Sequence, residues 1–376
     1  MEKLQKAKYK EVIKKVIIQN QDRLRTLKII PRAINLEQNG NYVFVGLRRV
    51  GKTYLLYQII KAHYKIEDIL FINFEDERLI EFSYKELDLL LEAYSELYKK
   101  KPLLFLDEIH NIKNWEKFVR RLADNDYKVM ISGSNAKMLS ADISTILGGR
   151  FFNHIVSPLS FSEFLNFNAL ELKENYEYSD QLFKLKDLYA AYLQYGGLPE
   201  ISRYKNKREY LSGIYQKLFY GIGNNTLFEY INYLSESFMI HQISNFANKF
   251  VERETKKKYY FADTGLLGLF LINQDTKLLE NQVFIELKRR YKEEVFYLKR
   301  KLEVDFYLPG QKLLIQVSYN MDDEDTRKRE LKALSLAMEE LNINKGFVIT
   351  YDTEDQIEIK EKIIYIIPAW KWLLEE

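Results

Sequence analysis

One stretch constrains this chain more than any other: Asn41–Tyr54, NYVFVGLRRVGKTY. Gly46, Gly51, Lys52 and Thr53 stand in it at the spacing G-x-x-x-x-G-K-T, between the apolar run Tyr42–Val45 and the sequence LLYQIIKAHY. The run predicts a short buried strand and the second sequence a helix, which places the glycines in the turn between them. A glycine turn feeding a helix N-terminus is a phosphate cradle. Gly46 and Gly51 let the backbone fold so that the N–H groups of Leu47, Arg48, Arg49 and Val50 can point inward, and the helix that carries Tyr54 adds its partial positive charge. Lys52 supplies a point charge for β- and γ-phosphates, and Thr53 a hydroxyl for Mg²⁺. The expected ligand is therefore ATP with Mg²⁺.

A second strand–carboxylate pattern follows at the expected distance. PLLFLDEIH, residues 102–110, is four apolar residues ending in Asp107 and Glu108. Behind a phosphate loop this reads as the Walker B strand, with Asp107 a metal-side carboxylate and Glu108 the candidate general base for the attacking water. Between the two lies ILFINFED, read as a buried parallel strand whose exit carries Asn73, Glu75 and Asp76. The amphipathic NWEKFVRRLAD predicts a helix, and YKVMISGSNAKML another strand. Its exit, Ser132–Asn135, puts hydroxyls and an amide where a γ-phosphate sensor belongs, with Asn135 the leading candidate; a plain turn is the alternative. Gly148 and Gly149 form a flexible approach to Arg150, which suits a guanidinium directed at a phosphate.

Composition excludes several classes. The chain has 376 residues, too many for one ordinary core, so two or three domains are expected. Without cysteine, disulfides and thiolate metal sites are excluded, and four histidines argue against a His-based metal centre. The balance of 57 basic against 54 acidic residues does not by itself call for nucleic acid. No apolar run is long enough for a membrane span and the start lacks a signal-peptide core, so no membrane role and a cytoplasmic location are expected.

In order, GLRRVGKTYLL, FINFEDERL, LLFLDEIHNIKNWEKF, ISGSNAKMLS, LGGR and SPLSFSEFL resemble the AAA+ ATPases of the P-loop superfamily. The closer resemblance is to a bacterial and archaeal group whose AAA domain precedes a C-terminal domain of unknown function similar to restriction endonucleases. YYFADTGLLGLFL, LLENQVFIELKRR and KLEVDFYLPGQKLLIQVS are similar to that group's recurring C-terminal pattern. The resemblance implies Lys52 and Thr53 on phosphate and metal, Asp107 and Glu108 in Walker B roles, Asn135 or Ser134 as sensor, and Arg150 in contact with phosphate. In the endonuclease-like pattern a helix carboxylate, a strand Asp and an E-x-K assemble around Mg²⁺. Here Glu286 and Asp305 answer the first two, with Glu303 on the same strand face, but Gln316, Val317 and Ser318 stand at E-x-K. Nuclease chemistry is therefore not expected.

The expected architecture is α/β: an N-terminal helix and connector (1–32), a P-loop parallel sheet (33–165), a short, truncated winged-helix-like helical middle (166–272), and an α/β endonuclease-like domain (273–376). The middle is shortened at Ile222–Asn225, and TLFEYINYL fits a packed helix better than a DNA-reading one. The run Arg253–Lys258 is expected to be a solvated turn. The expected function is ATP hydrolysis coupled to an unidentified protein partner or to DNA, with self-association if Arg150 acts in trans. The alternatives are a slow nucleotide switch in signalling or defence, and a DNA-processing ATPase with residual nuclease action.

Overall fold

The computed structural model describes residues 2–219, 227–246, 257–271, 275–291, 294–300, 302–359 and 361–375. It divides into two compact units, Met1–Val156 with Glu236–Phe238, and Ser157–Ser235 with Met239–Glu376.

The first unit is built on five strands: β1 (Asn41–Val45), β2 (Ile69–Asn73), β3 (Leu103–Asp107), β4 (Val129–Gly133) and β5 (Phe151–Ile155). All neighbours are parallel, in the order β2-β3-β4-β1-β5. The apolar runs of β1 to β4 are buried on both faces, as a parallel sheet covered by helices requires. The glycine-loop strand and the Walker B strand are thus separated by β4. The register sets Val45 beside Gly133 and Asn73 beside Asp107, bringing the polar strand exits to one edge of the sheet.

The helices of this unit are α1 (Glu2–Thr26), α2 (Lys52–His63), α3 (Asp88–Tyr98), α4 (Trp115–Asp124) and α5 (Ala141–Leu147). α4 buries Trp115, Phe118, Val119 and Leu122, the i, i+3, i+4, i+7 stripe that its sequence predicts. α1 buries Ile13, Val16, Ile17 and Leu24. It also guards the open edge of β2, because Gln21 Nε2 donates to Ile69 O at 2.9 Å and Asn20 Nδ2 to Phe71 O at 3.0 Å. Amide side chains there occupy carbonyls that would otherwise invite another strand. The opposite edge is β5, whose FFNHI carries no long apolar run to announce a strand. It leaves Phe152 and Ile155 exposed.

The second unit carries helices Phe161–Phe167, Gln181–Tyr195 and Lys207–Phe219, then a ribbon of β6 (Ile240–Ser244) antiparallel to β7 (Lys257–Phe261). Asp263 ties the turn at Gly196 and Gly197 to the stretch Ala262–Gly265. It accepts Gly197 N–H at 2.7 Å and those of Gly265 and Leu266 at 3.0 and 3.3 Å, while burial pushes its carboxyl up to about 6. The larger sheet contains β8 (Phe296–Lys299), β9 (Glu303–Leu308), β10 (Leu313–Val317), β11 (Lys345–Thr350), β12 (Asp355–Ile359) and β13 (Lys362–Pro368), in the order β12-β13-β11-β10-β9-β8. β8, β9 and β10 run antiparallel, and the helix Glu324–Glu340 crosses over to make β11 parallel to β10. Leu298, Val304, Leu314, Leu334, Met338, Val348 and Ile366 share its core.

TLFEYINYL is a helix over Leu227–Glu236, as its apolar spacing predicts; Ile222–Asn225 lies outside the described residues. The expected solvated turn at Arg253–Lys258 is corrected in part. Lys257 and Lys258 belong to β7, and the rest of the run lies outside the described residues.

Candidate active site

The glycine loop leaves β1 at Gly46 and enters α2 at Lys52. Gly46 has φ +157°, and a Cβ there would lie 2.3 Å from the carbonyl oxygen of Val156, so no other residue fits. Gly51 caps α2 in the left-handed region at φ 97°, which frees the first helical N–H groups toward the loop. Arg49 also sits at φ 64°. Val50 is buried, and its carbonyl accepts from Arg32 Nη1 at 3.1 Å. Leu47 is likewise buried, Arg48 pairs with Glu75 at 2.9 Å, and Tyr54 stands half-exposed on α2 against Tyr57.

Lys52 is almost fully buried. Its Nζ donates to the carbonyls of Gly46 and Leu47 at 3.2 and 3.3 Å and lies 3.3 Å from Glu108 Oε1. Thr53 Oγ1 donates to Asp107 Oδ2 at 2.7 Å, while Ser132 Oγ donates to Asp107 Oδ1. The same Ser132 oxygen accepts the N–H of Glu108 at 3.2 Å, bracing Glu108 in the left-handed region at φ 51°. A non-glycine residue there is held under strain of order 1 kcal/mol. Glu108 Oε2 in turn accepts Ser134 N–H at 3.1 Å and Ser134 Oγ–H at 2.9 Å.

Burial raises the Asp107 carboxyl to about 6, against the pull of the Ser132 and Thr53 hydroxyls and of Lys52. Glu108 moves the other way. Burial would raise it, but Lys52, His110 and the Ser134 hydroxyl together hold it below the usual carboxylate range. Two adjacent carboxylates are thus pushed apart in acidity, with Glu108 the more acidic.

The structure brings Gly46, Gly51, Lys52, Thr53, Asp107 and Glu108 into one connected group. It does not bring Asn135 or Arg150 into that group. Asn135 Oδ1 caps the following turn by accepting Lys137 N–H at 2.8 Å, so the loop's contact with Glu108 is made by Ser134. The Arg150 guanidinium pairs through Nε with Asp124 at the end of α4 and donates through Nη1 to Gly148 O at 3.2 Å. It stands at the start of the edge strand β5. Sequence reasoning passed over Ser132 as the brace of both carboxylates and missed His110 altogether. The pattern D-E-x-H, with a histidine one turn past the carboxylates, was the available signal.

The carboxylates of the second unit are arranged differently. Asp305 Oδ2 accepts Val317 N–H at 2.9 Å, and Gln316 Oε1 accepts Asp305 N–H at 3.2 Å. Lys258 Nζ lies 2.6 Å from Glu303, 3.7 Å from Glu280 and 3.9 Å from Asp305. The helix carboxylate beside Asp305 is therefore Glu280. Glu286, expected there from the sequence, lies six residues further along helix Asp275–Arg290 and pairs with Arg289 and Arg290.

A parallel sheet with a glycine loop at the exit of one strand and paired carboxylates two strands away defines a P-loop nucleotide-binding domain of the AAA type. Consistent with this, the AAA domain family matches residues 38–165, and a domain of unknown function matches residues 212–277. An uncharacterized protein of Methanocaldococcus jannaschii is 34% identical over 97% of this chain and 96% of its own length. The chain belongs to the family of that protein. An uncharacterized protein of Haemophilus influenzae is 26% identical over 89% of this chain and 94% of its own length. Among solved structures, C. elegans PCH-2 is 14% identical, covers 60% of this chain and 67% of its own, and aligns with a TM-score of 0.30. No described helix is long and apolar enough to cross a membrane.

Proposed function

We propose that this protein is a cytoplasmic Mg²⁺-dependent ATPase whose nucleotide state controls a partner. The observation that carries this reading is the contact of Lys52 with Glu108 at 3.3 Å, beside the contact of Thr53 with Asp107 at 2.7 Å. The loop lysine here neutralises the candidate base. Phosphates entering the loop compete for the same ammonium, so ATP itself releases Glu108. Glu108 then takes a proton from the water that attacks the γ-phosphate. Thr53 Oγ1 and the Asp107 carboxylate are hard oxygen donors at the foot of the loop, a donor set that fits Mg²⁺. Bound there, Mg²⁺ would neutralise charge on the phosphate oxygens.

Asn135 offers its amide nitrogen to the γ-phosphate from the loop that also carries Ser134. The position of Arg150, at an edge strand and paired with Asp124, favours action on the nucleotide of a second copy over its own. Turnover would then depend on self-association. The C-terminal sheet is read as an endonuclease-like fold kept for binding, because Lys258 fills the space among Glu280, Glu303 and Asp305 where a metal would be needed.

The test is steady-state ATPase activity of wild type and Glu108→Gln over a range of protein concentrations, with and without duplex DNA. The expected result is turnover by wild type that rises per molecule with concentration, and ATP binding without turnover by Glu108→Gln. Stimulation by DNA would make DNA the partner, whereas turnover far below one per second with ATP-dependent assembly would make the protein a slow switch. Wild type that binds ATP and never hydrolyses it, even when concentrated, would sink the ATPase reading.

A further inference from the structure

Buried polar atoms are almost always paired, so an unpaired one beside a reactive group calls for an explanation. Among the described residues three buried side-chain atoms lack a hydrogen-bond partner, and one of them is His110 Nδ1. It lies 3.4 Å from Glu108 Oε2, the oxygen that Ser134 also holds. On the facing strand, a Cβ at Gly133 would come within 2.8 Å of His110 Nδ1 and 2.1 Å of Met138 Sδ, so β4 gives up a side chain where the ring stands. The side chain is 22% exposed, while its Nδ1 is buried.

We propose that His110 receives, through Nδ1, the proton that Glu108 takes from the attacking water. This rests on the ATPase reading above. His110 acts through Glu108 and touches neither nucleotide nor water. The groups whose charge reaches the ring are Glu108, Lys52, Glu75 and Arg48. Burial lowers the proton affinity of the ring against the pull of Glu108 and Glu75, and once Glu108 has taken a proton, a ring protonated on Nε2 accepts it at Nδ1.

The step balances. Water oxygen bonds to the γ-phosphorus as the bond from that phosphorus to the ADP oxygen breaks. One water proton stays on the hydrogen phosphate formed, and the other passes to Glu108 and then to His110 Nδ1. The imidazolium loses its Nε2 proton to solvent and afterwards returns to the starting tautomer. Hydrolysis of fully ionised ATP to ADP and hydrogen phosphate releases one proton, and this route carries it away. Without an acceptor behind it, a Glu108 that has taken the proton must return it within the site.

The experiment compares wild type, His110→Ala, His110→Gln and Glu108→Gln for kcat and for ATP affinity, with and without added imidazole. The expected result for His110→Ala is a fall in kcat of about tenfold or more, a small share of the roughly 10²–10⁴-fold supplied by a positioned acid–base group. Its ATP affinity stays within about twofold of wild type. His110→Gln fills the space but cannot carry a proton, and should be as slow as His110→Ala. Imidazole should restore the rate of His110→Ala and leave Glu108→Gln inactive. Wild-type kcat in either His110 variant overturns the proposal, as does a loss that imidazole does not restore and that appears equally in ATP affinity. If Glu108→Gln itself turns over like wild type, the ATPase reading has failed; if it is dead while His110→Ala is normal, only the role of His110 falls.

Discussion

Asp107–Glu108 in the first unit and Glu303–Asp305 in the second are both carboxylate pairs set on or just past a strand, the first with Lys52 beside it and the second with Lys258 and Lys299. Burial raises one acid in each pair, Asp107 to about 6 and Asp305 to about 7. The two clusters differ in what holds them. Thr53, Ser132 and Ser134 give hydroxyl hydrogens to the first pair, and its lysine belongs to a loop shaped for phosphate. The Thr53 hydroxyl and the Lys52 ammonium can turn to a ligand when one arrives, while the buried Ser132 and the backbone N–H of Ser134 keep the two carboxylates in place. Asp305 is held by the Val317 backbone N–H, a partner that cannot turn away, and Lys258 lies within ion-pair distance of three carboxylates. A charged cluster is available for chemistry when its partners are exchangeable, and serves as structure when they are not.

The largest test of this difference is paired. Lys52→Met should weaken ATP binding by about 100-fold or more, since it removes a charge aimed at the phosphates, while the fold persists. Equilibrium binding of a fluorescent ATP analogue measures it, and near-normal affinity would break the comparison on the first side. Lys258→Met should leave that affinity unchanged and destabilise the protein by about 1–2 kcal/mol, because it removes the ammonium that Glu280, Glu303 and Asp305 share while Lys277 and Lys299 still pair with the first two. Urea unfolding followed by circular dichroism reads this out; a loss under about 0.5 kcal/mol would mean that Lys258 is not structural.

A smaller effect is expected at Arg150. Arg150→Ala should lower kcat about tenfold or more at high protein concentration and bring activity per molecule to the dilute wild-type value. It should change stability by less than about 1 kcal/mol, since its pair with Asp124 is partly exposed. Equal activity of variant and wild type at every concentration would remove Arg150 from the mechanism.

The smallest effect concerns pH. Asp107 is raised to about 6 in the folded protein, against about 3.9 in an unfolded chain. A raised folded value means stability that is fully present below the unfolded value and lost as pH rises through the folded one. Without nucleotide, Asp107→Asn should therefore be more stable than wild type at pH 8, by on the order of 1 kcal/mol, and the gap should close as pH falls toward 4. Thermal melts at several pH values measure it. A gap independent of pH would show that Asp107 is not held against its charge.

Much of the first site was legible because its chemistry is local in sequence. Six consecutive residues from Gly46 to Gly51 make one turn, Lys52 and Thr53 open one helix, and an apolar run ending in Asp107-Glu108 can hardly be anything but a buried strand with its charges at the exit. The order of the strands and the open edge at β5 were not legible, because pairing partners lie tens of residues apart. The choice between Glu280 and Glu286 was equally hidden. Both are buried on the same helix, and only the packing of β7 and β9 decides which one faces Lys258.

What the sequence by itself determined is the phosphate loop, the paired carboxylates and the strand–helix alternation, since spacing and residue type fix these within one turn of chain. Tertiary structure alone decided that Lys52 rests on Glu108, that Ser134 and not Asn135 holds Glu108, and that His110 faces it where Gly133 leaves out a side chain. The physical reason is that hydrogen bonds and ion pairs are set at the ångström scale between strands, where neither periodicity nor composition carries information.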